Sequence, residues 1–166
     1  AASSSRLRHP ITKLMTAIVF LQSKPDLQTT IEVIAADQAP ESKKTFEVGE
    51  KVILQDVLAS ALIASDNNAA LMLARASGMS AADFVKKMNQ QAAALGLSHS
   101  HFADPTGLQA ANQSTAMEVA SLAQAAFAQP EIRKLVSLSS YDFSSVSGQA
   151  HHLRSTNKIA KGFLQV

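Results

Sequence analysis

The chain contains no cysteine and no tryptophan, and only one tyrosine. Without cysteine it has neither disulfides nor thiolate metal sites. An aromatic content of 5% argues against an aromatic-rich sandwich and, with alanine abundant, for closely packed helices. Charge is sparse: 17% of residues are charged and the formal net charge is +2, too small to suggest a nucleic-acid partner. No apolar run reaches the ~18 residues that a bilayer span requires, and the opening residues carry no signal-peptide pattern. There is no internal repeat and no long linker. What is present is a chain of 166 residues, 46% of them apolar, enough for one domain with a real core but not comfortably for two.

Periodicity divides the chain into mostly helical segments. Residues 1–9 have no period and read as an extended or poorly ordered start. Pro10 opens a helix in which Ile11, Leu14, Met15, Ile18 and Leu21 recur at three- and four-residue spacing, and Pro25 ends it. Residues 29–36 alternate as a strand, and residues 45–48 are expected to pair back on it as a small β-hairpin. A helix is predicted from Leu54 to Ala64, another from the polar break to Ser77 with Gly78 as its C-terminal cap, and a third after Ser80 that ends near Leu95-Gly96. Residues 101–108 read as a loop. Ser114 or Thr115 caps a helix to Phe127, and Pro130 starts a short one through Val136. Residues 140–146 and 151–156 read as two strands around a turn at Ser147-Gly148.

Three stretches stand out chemically. Lys13 lies in the first turn of a helix, where the dipole is unfavourable to a cation. A lone lysine there is ordinarily a solvated side chain on an amphipathic helix. The alternative is an amine whose pKa is lowered by burial and by the dipole, which makes it a proton acceptor. The second stretch, Ser65-Asp66-Asn67, interrupts two Ala/Leu-rich helices. Such side chains belong at helix junctions, and a buried junction must have its polar groups satisfied or put to use. Taken alone, it is a helix break with satisfied caps. The third stretch, residues 101–116, is by itself a loop and an N-cap.

Together these stretches resemble the penicillin-binding serine D,D-peptidases of the D-alanyl-D-alanine carboxypeptidase and endopeptidase type. The resemblance runs from about Arg8 to the end. It rests on Thr12-Lys13-Leu14-Met15-Thr16-Ala17, Ser65-Asp66-Asn67-Asn68-Ala69-Ala70 and Phe84-Val85-Lys86-Lys87-Met88-Asn89. It continues through Leu95-Gly96-Leu97, His101-Phe102, Pro105-Thr106-Gly107-Leu108, Ser114-Thr115-Ala116 and Ser155-Thr156-Asn157, in that order. The resemblance implies an α+β fold of the β-lactamase and transpeptidase kind, here mainly its helical part with a small β-hairpin and with the central sheet mostly missing. It implies acyl-enzyme chemistry on D-Ala-D-Ala peptides of peptidoglycan, with β-lactams as covalent inhibitors and with no metal or organic cofactor. Lys13 would take the proton of the attacking serine. Ser65 would relay a proton to the leaving amine, and Asn67 would hold the substrate's peptide group and orient Lys13. The location implied is periplasmic or otherwise extracytoplasmic.

The sequence departs from the family pattern in three places. The motif Ser-x-x-Lys needs serine three residues before Lys13, and that position is Pro10. The family's Pro-x-Ala-Ser-x-Thr-Lys is shortened here to Pro10-Ile11-Thr12-Lys13, as if about three residues were excised. No Lys-Thr-Gly occurs before Phe163-Leu164-Gln165-Val166, and residues 1–9 cannot supply the two strands that usually precede the first motif. One expectation is that residues 1–166 are a single incomplete D,D-peptidase domain with unrecorded residues. The rival is a catalytically dead, muropeptide-binding relative, and a serine β-lactamase ranks lower. The intact flanks of the gap favour the first, since deleting three residues from a helical turn would rotate Lys13 by nearly a full turn.

Overall fold

The computed structural model describes residues 5–6, 10–40, 42–43 and 45–156. The expectations for residues 1–4 and 7–9, for Asn157 and for Phe163–Val166 lie outside the described residues.

Helix α1 (Pro10–Gln22) has apolar or small residues around most of its circumference, and a helix of that kind is stable only when enclosed. Met15, Ala17, Val19 and Phe20 are fully buried, and neighbours surround the helix on every side. These neighbours are α2 (Leu54–Ile63), α3 (Asn67–Ala76), α4 (Ala81–Ala94) and α5 (Ala116–Phe127). A helix of 7 residues, α6 (Pro130–Val136), packs Ile132 and Leu135 against α2 and α5. Phe84 and Met88 of α4, both fully buried, extend the same core. Burial of each such side chain contributes ~1.5–3 kcal/mol.

Local signals set the helix ends. Thr115 Oγ1 accepts from the Glu118 N–H and starts α5, and Ser80 Oγ accepts from the Asp83 N–H and starts α4. Gly78 and Gly96 take positive φ just beyond α3 and α4, as a C-terminal cap requires.

Among the described residues, the strands form three two-stranded antiparallel sheets, and an isolated antiparallel bridge joins His101 to Gln113. β1 (Ser5–Arg6) pairs with β4 (Gln113–Ser114), within the segment read as an extended start. β5 (Ser140–Ser144) and β6 (Ala150–Arg154) form the longest hairpin, with Gly148 at φ +88° in its turn. The hairpin expected between residues 29–36 and 45–48 is corrected: β2 (Thr30–Glu32) pairs instead with β3 (Lys51–Ile53), Ile31 opposite Val52. The reason is Phe46. Its ring is fully buried against Phe143 and His151 of the β5–β6 hairpin, with centroids 6.2 and 5.4 Å away, so residues 45–48 serve as a tertiary anchor. Gly49, at φ +88°, then turns the chain into β3.

Candidate active site

At the α2–α3 junction the chain reverses in three residues. Ser65 has φ +55°, in the left-handed region normally left to glycine. Two hydrogen bonds hold this turn in place. The Asp66 N–H donates to the Ser60 carbonyl at 3.3 Å, and Ser60 Oγ donates to Asp66 Oδ2 at 3.0 Å. Asp66 Oδ1 accepts from the N–H groups of Asn68 and Ala69, which caps α3. Asn68, also buried, is tied to the Ala39 N–H and to Gln38. The polar junction is thus largely self-satisfied, with one exception. Asn67 Nδ2 donates to Ser42 Oγ at 2.9 Å, while its Oδ1 is buried with no hydrogen-bond partner among the described residues.

Ser65 and Asn67 line a cleft of about 690 Å³. Ser42, Lys43 and Thr45 form one side of it, and β6 forms the facing wall with His151, His152 and Arg154. The hairpin is locked at the far end, where His151 Nε2 lies 2.5 Å from Glu50 Oε1 and both side chains are buried. Burial pushes the Glu50 carboxyl up. Hydrogen bonds from His151, the Glu47 N–H and Ser145 outweigh that and hold it below its ordinary value. At the near end, the Thr156 N–H donates to the Ile63 carbonyl, which joins the chain after β6 to the end of α2.

Lys13 is not among the cleft's lining residues, but its amine is within electrostatic reach of Asp66, which is. It is 1% exposed, which resolves the two readings of its sequence position in favour of the buried amine. Nζ donates to the Thr106 carbonyl at 2.9 Å, and one turn later Thr16 Oγ1 donates to the Pro105 carbonyl at 2.8 Å. Burial pushes the amine from its ordinary 10.5 down to about 8, against the carboxylates of Asp66 and Asp104, which favour the charged form. A primary amine with such a pKa is substantially neutral at mildly alkaline pH and can take a proton. Thr12 Oγ1, next to it in the chain, is buried without a partner among the described residues.

The third stretch was read as structural, yet its Thr106 carbonyl is a direct partner of Lys13. Asp104, 8% exposed, organises this loop and accepts from the N–H groups of Thr106, Gly107 and Gln109, from the Thr106 hydroxyl and from Asn112 Nδ2. An Asp-Pro-Thr-Gly sequence signals a turn. Nothing local signals that this turn faces a lysine 93 residues earlier.

The structure therefore brings Ser65 and Asn67 together in one cleft and keeps the Lys13 amine within electrostatic reach of the Asp66 between them, outside the cleft lining. Asn67 makes no hydrogen bond to Lys13. Among the described residues, no cluster of three or more His, Cys, Asp or Glu is arranged to hold a metal ion.

A family model described as D-alanyl-D-alanine carboxypeptidase matches residues 4–162. The D-alanyl-D-alanine endopeptidase of Haemophilus influenzae is 32% identical over 153 residues, covering 91% of this chain and 52% of that protein. The D-alanyl-D-alanine endopeptidase of Escherichia coli is 34% identical over 154 residues, covering 90% and 49%. The chain thus spans about half the length of these curated relatives. Of solved structures, the Streptomyces K15 DD-transpeptidase superposes with a TM-score of 0.88 at 27% identity, covering 99% of this chain and 69% of that one. Matched over nearly its whole length, and sharing the helical arrangement that carries Lys13 and the Ser65–Asn67 junction, the chain belongs to the D-alanyl-D-alanine carboxypeptidase family.

Proposed function

We propose that the protein carrying this chain is a serine-type D,D-peptidase, a carboxypeptidase or endopeptidase, that cleaves D-alanyl-D-alanine-type bonds in peptidoglycan stem peptides outside the cytoplasm. The observation that carries this reading is the buried Lys13 amine, with its pKa near 8, within electrostatic reach of Asp66 in the cleft that Ser65 and Asn67 line. Among the described residues no helix is long and apolar enough to cross a membrane.

In the proposed reaction a serine oxygen bonds to the scissile carbonyl carbon as its proton passes to the Lys13 amine. The C–N bond then breaks, and the proton reaches the leaving amine through the Ser65 hydroxyl. Water hydrolyses the resulting ester. Asn67, in the cleft lining, holds the peptide group of the bound substrate. β-Lactams acylate the same serine and remain attached. No step calls for a metal or an organic cofactor.

This serine must lie one helical turn before Lys13, where the sequence has Pro10. We infer that about three residues, the serine among them, are missing between Pro10 and Thr12, and that the 166 residues are part of a longer domain. The uninterrupted match from Thr12 to Ala17 and the partial coverage of the relatives support this. Pro10 as it stands favours a second reading, a muropeptide-binding module that never acylates.

Two measurements on the full-length protein decide between them. Tryptic mapping is expected to return a peptide ending at Lys13 that is about three residues heavier than His9–Lys13; a peptide of the bare five-residue mass would overturn the inferred gap. A fluorescent penicillin is expected to label the protein stably and to lose its site in Lys13→Ala. Rapid release of the label would indicate a β-lactamase, no labelling the binding module, and retained labelling in Lys13→Ala would remove Lys13 from the chemistry.

A further inference from the structure

The Lys13 amine needs more than a low pKa. It must be held in place, and one acceptor that holds it is a main-chain carbonyl in a loop. Loop carbonyls are poor anchors unless the loop itself is fixed, because a small displacement of a catalytic group is costly. Here the fixing is dense. The Asp104 carboxylate takes the Thr106 N–H at 3.0 Å, the Gly107 N–H at 3.2 Å and the Gln109 N–H at 3.3 Å, besides the Thr106 hydroxyl and the Asn112 amide. Asn112 braces the far side, accepting from the Ala103 N–H at 2.9 Å and donating to the Gln109 carbonyl at 2.8 Å. The antiparallel backbone pair of His101 and Gln113 closes the loop at its base, and between them residues 102–112 have no regular secondary structure, so these side chains fix its interior.

We propose that Asp104 is a positioning residue for the Lys13 amine: it fixes the Thr106 carbonyl that accepts from Nζ, and its negative charge acts on that amine from the same loop. The proposal rests on Lys13 being the proton acceptor and extends that reading to a residue outside its motifs. Hydrogen bonds from Thr106, Asn112 and the backbone outweigh burial and hold the Asp104 carboxyl below its ordinary value, so it stays charged throughout the working range. Among the described residues, the other charged side chains of the helices packed against α1 have partners or are exposed. Asp66 caps α3 and also acts on Lys13. Glu118 of α5 is bound by His99 and Ser100, and Asp56 of α2 by Tyr141. Arg75 of α3 pairs with Asp37, and Asp83, Lys86 and Lys87 of α4 are exposed.

Charge and position are separated by two variants of the full-length protein, followed by the second-order rate of penicillin acylation against pH. Asp104→Asn removes the charge, so the acid limb, which reports deprotonation of Lys13, is expected to move down by about one unit. Asp104→Glu keeps the charge but displaces the turn. Its acid limb is expected to stay while the limiting rate falls about tenfold or more with reversible binding unchanged. Should either variant fold poorly by near-UV circular dichroism, Asn112→Ser tests the same brace from its other end, with a fall in the limiting rate expected. Wild-type profiles in folded Asp104→Asn and Asp104→Glu would overturn the assignment. That outcome is distinct from retained acylation in Lys13→Ala, which would overturn the proton-acceptor role itself.

Discussion

Ser65 shows how a single residue can be held against its own preference. A non-glycine residue in the left-handed region costs ~1–2 kcal/mol, and here the Asp66 and Ser60 hydrogen bonds on either side impose it. Ser65→Gly is therefore expected to raise stability by ~0.5–1 kcal/mol in urea unfolding, because glycine occupies that region freely. The same change deletes the hydroxyl lining the cleft, so penicillin acylation of the full-length protein is expected to fall. Equal or faster acylation would exclude a role for that hydroxyl. The sequence made the junction legible, since Ser, Asp and Asn between two apolar runs announce a helix break. It did not make the backbone conformation legible, because glycine is the usual mark of a left-handed residue and none occurs there. Lys13 was equally ambiguous. Its burial is decided by α2, α3, α4 and α5 together, none of which is local to it.

Among the elements, the helices were the readable part. Their caps at Ser80 and Thr115, the proline that starts α6 and the glycines after α3 and α4 all act within one turn of the residue that signals them. Strand β3 was not readable. Three residues, Lys51 to Ile53, run directly into α2, and their partner lies 19 or more residues earlier in the chain. The β5–β6 hairpin was found, but its attachment to α2 is a tertiary feature. Tyr141 donates its hydroxyl hydrogen to Asp56 Oδ1 at 2.8 Å. Burial pushes the Asp56 carboxyl up, and burial with that carboxylate pushes the Tyr141 hydroxyl up to about 12. Tyr141→Phe leaves a buried carboxylate short of a donor and is expected to cost ~1–3 kcal/mol at pH 7. The loss should be smaller near pH 4, where protonation removes the charge, as urea unfolding at the two pH values will show. An equal loss at both would mean that packing, not the hydrogen bond, carries the contact.

At the scale of the whole molecule, the burial of Lys13 sets a pH dependence of global stability. Its folded pKa, about 8, lies below the unfolded value of 10.5. Between these values the unfolded chain binds a proton that the fold does not, so this group makes stability rise with pH through that window. Below pH 8 the full penalty applies, on the order of 3 kcal/mol. The stability difference between Lys13→Met and wild type is therefore expected to move toward wild type as pH goes from 8 to 10.5; a flat difference would contradict the buried amine. The family was legible from the order of short motifs, while the site was legible only in part. The proposed site residues Lys13, Ser65 and Asn67 follow from those motifs, whereas the Thr106 carbonyl reaches Lys13 through a contact that closes the chain over 93 residues. The Ser65–Asn67 turn on the cleft is pinned by the Asp66–Ser60 hydrogen bonds, and β6 on the same cleft is pinned by Glu50 to His151 and by the Thr156 N–H to the Ile63 carbonyl. Segments held in this way have surrendered much of their conformational entropy during folding. A ligand that meets them diverts little of its interaction energy to arranging them.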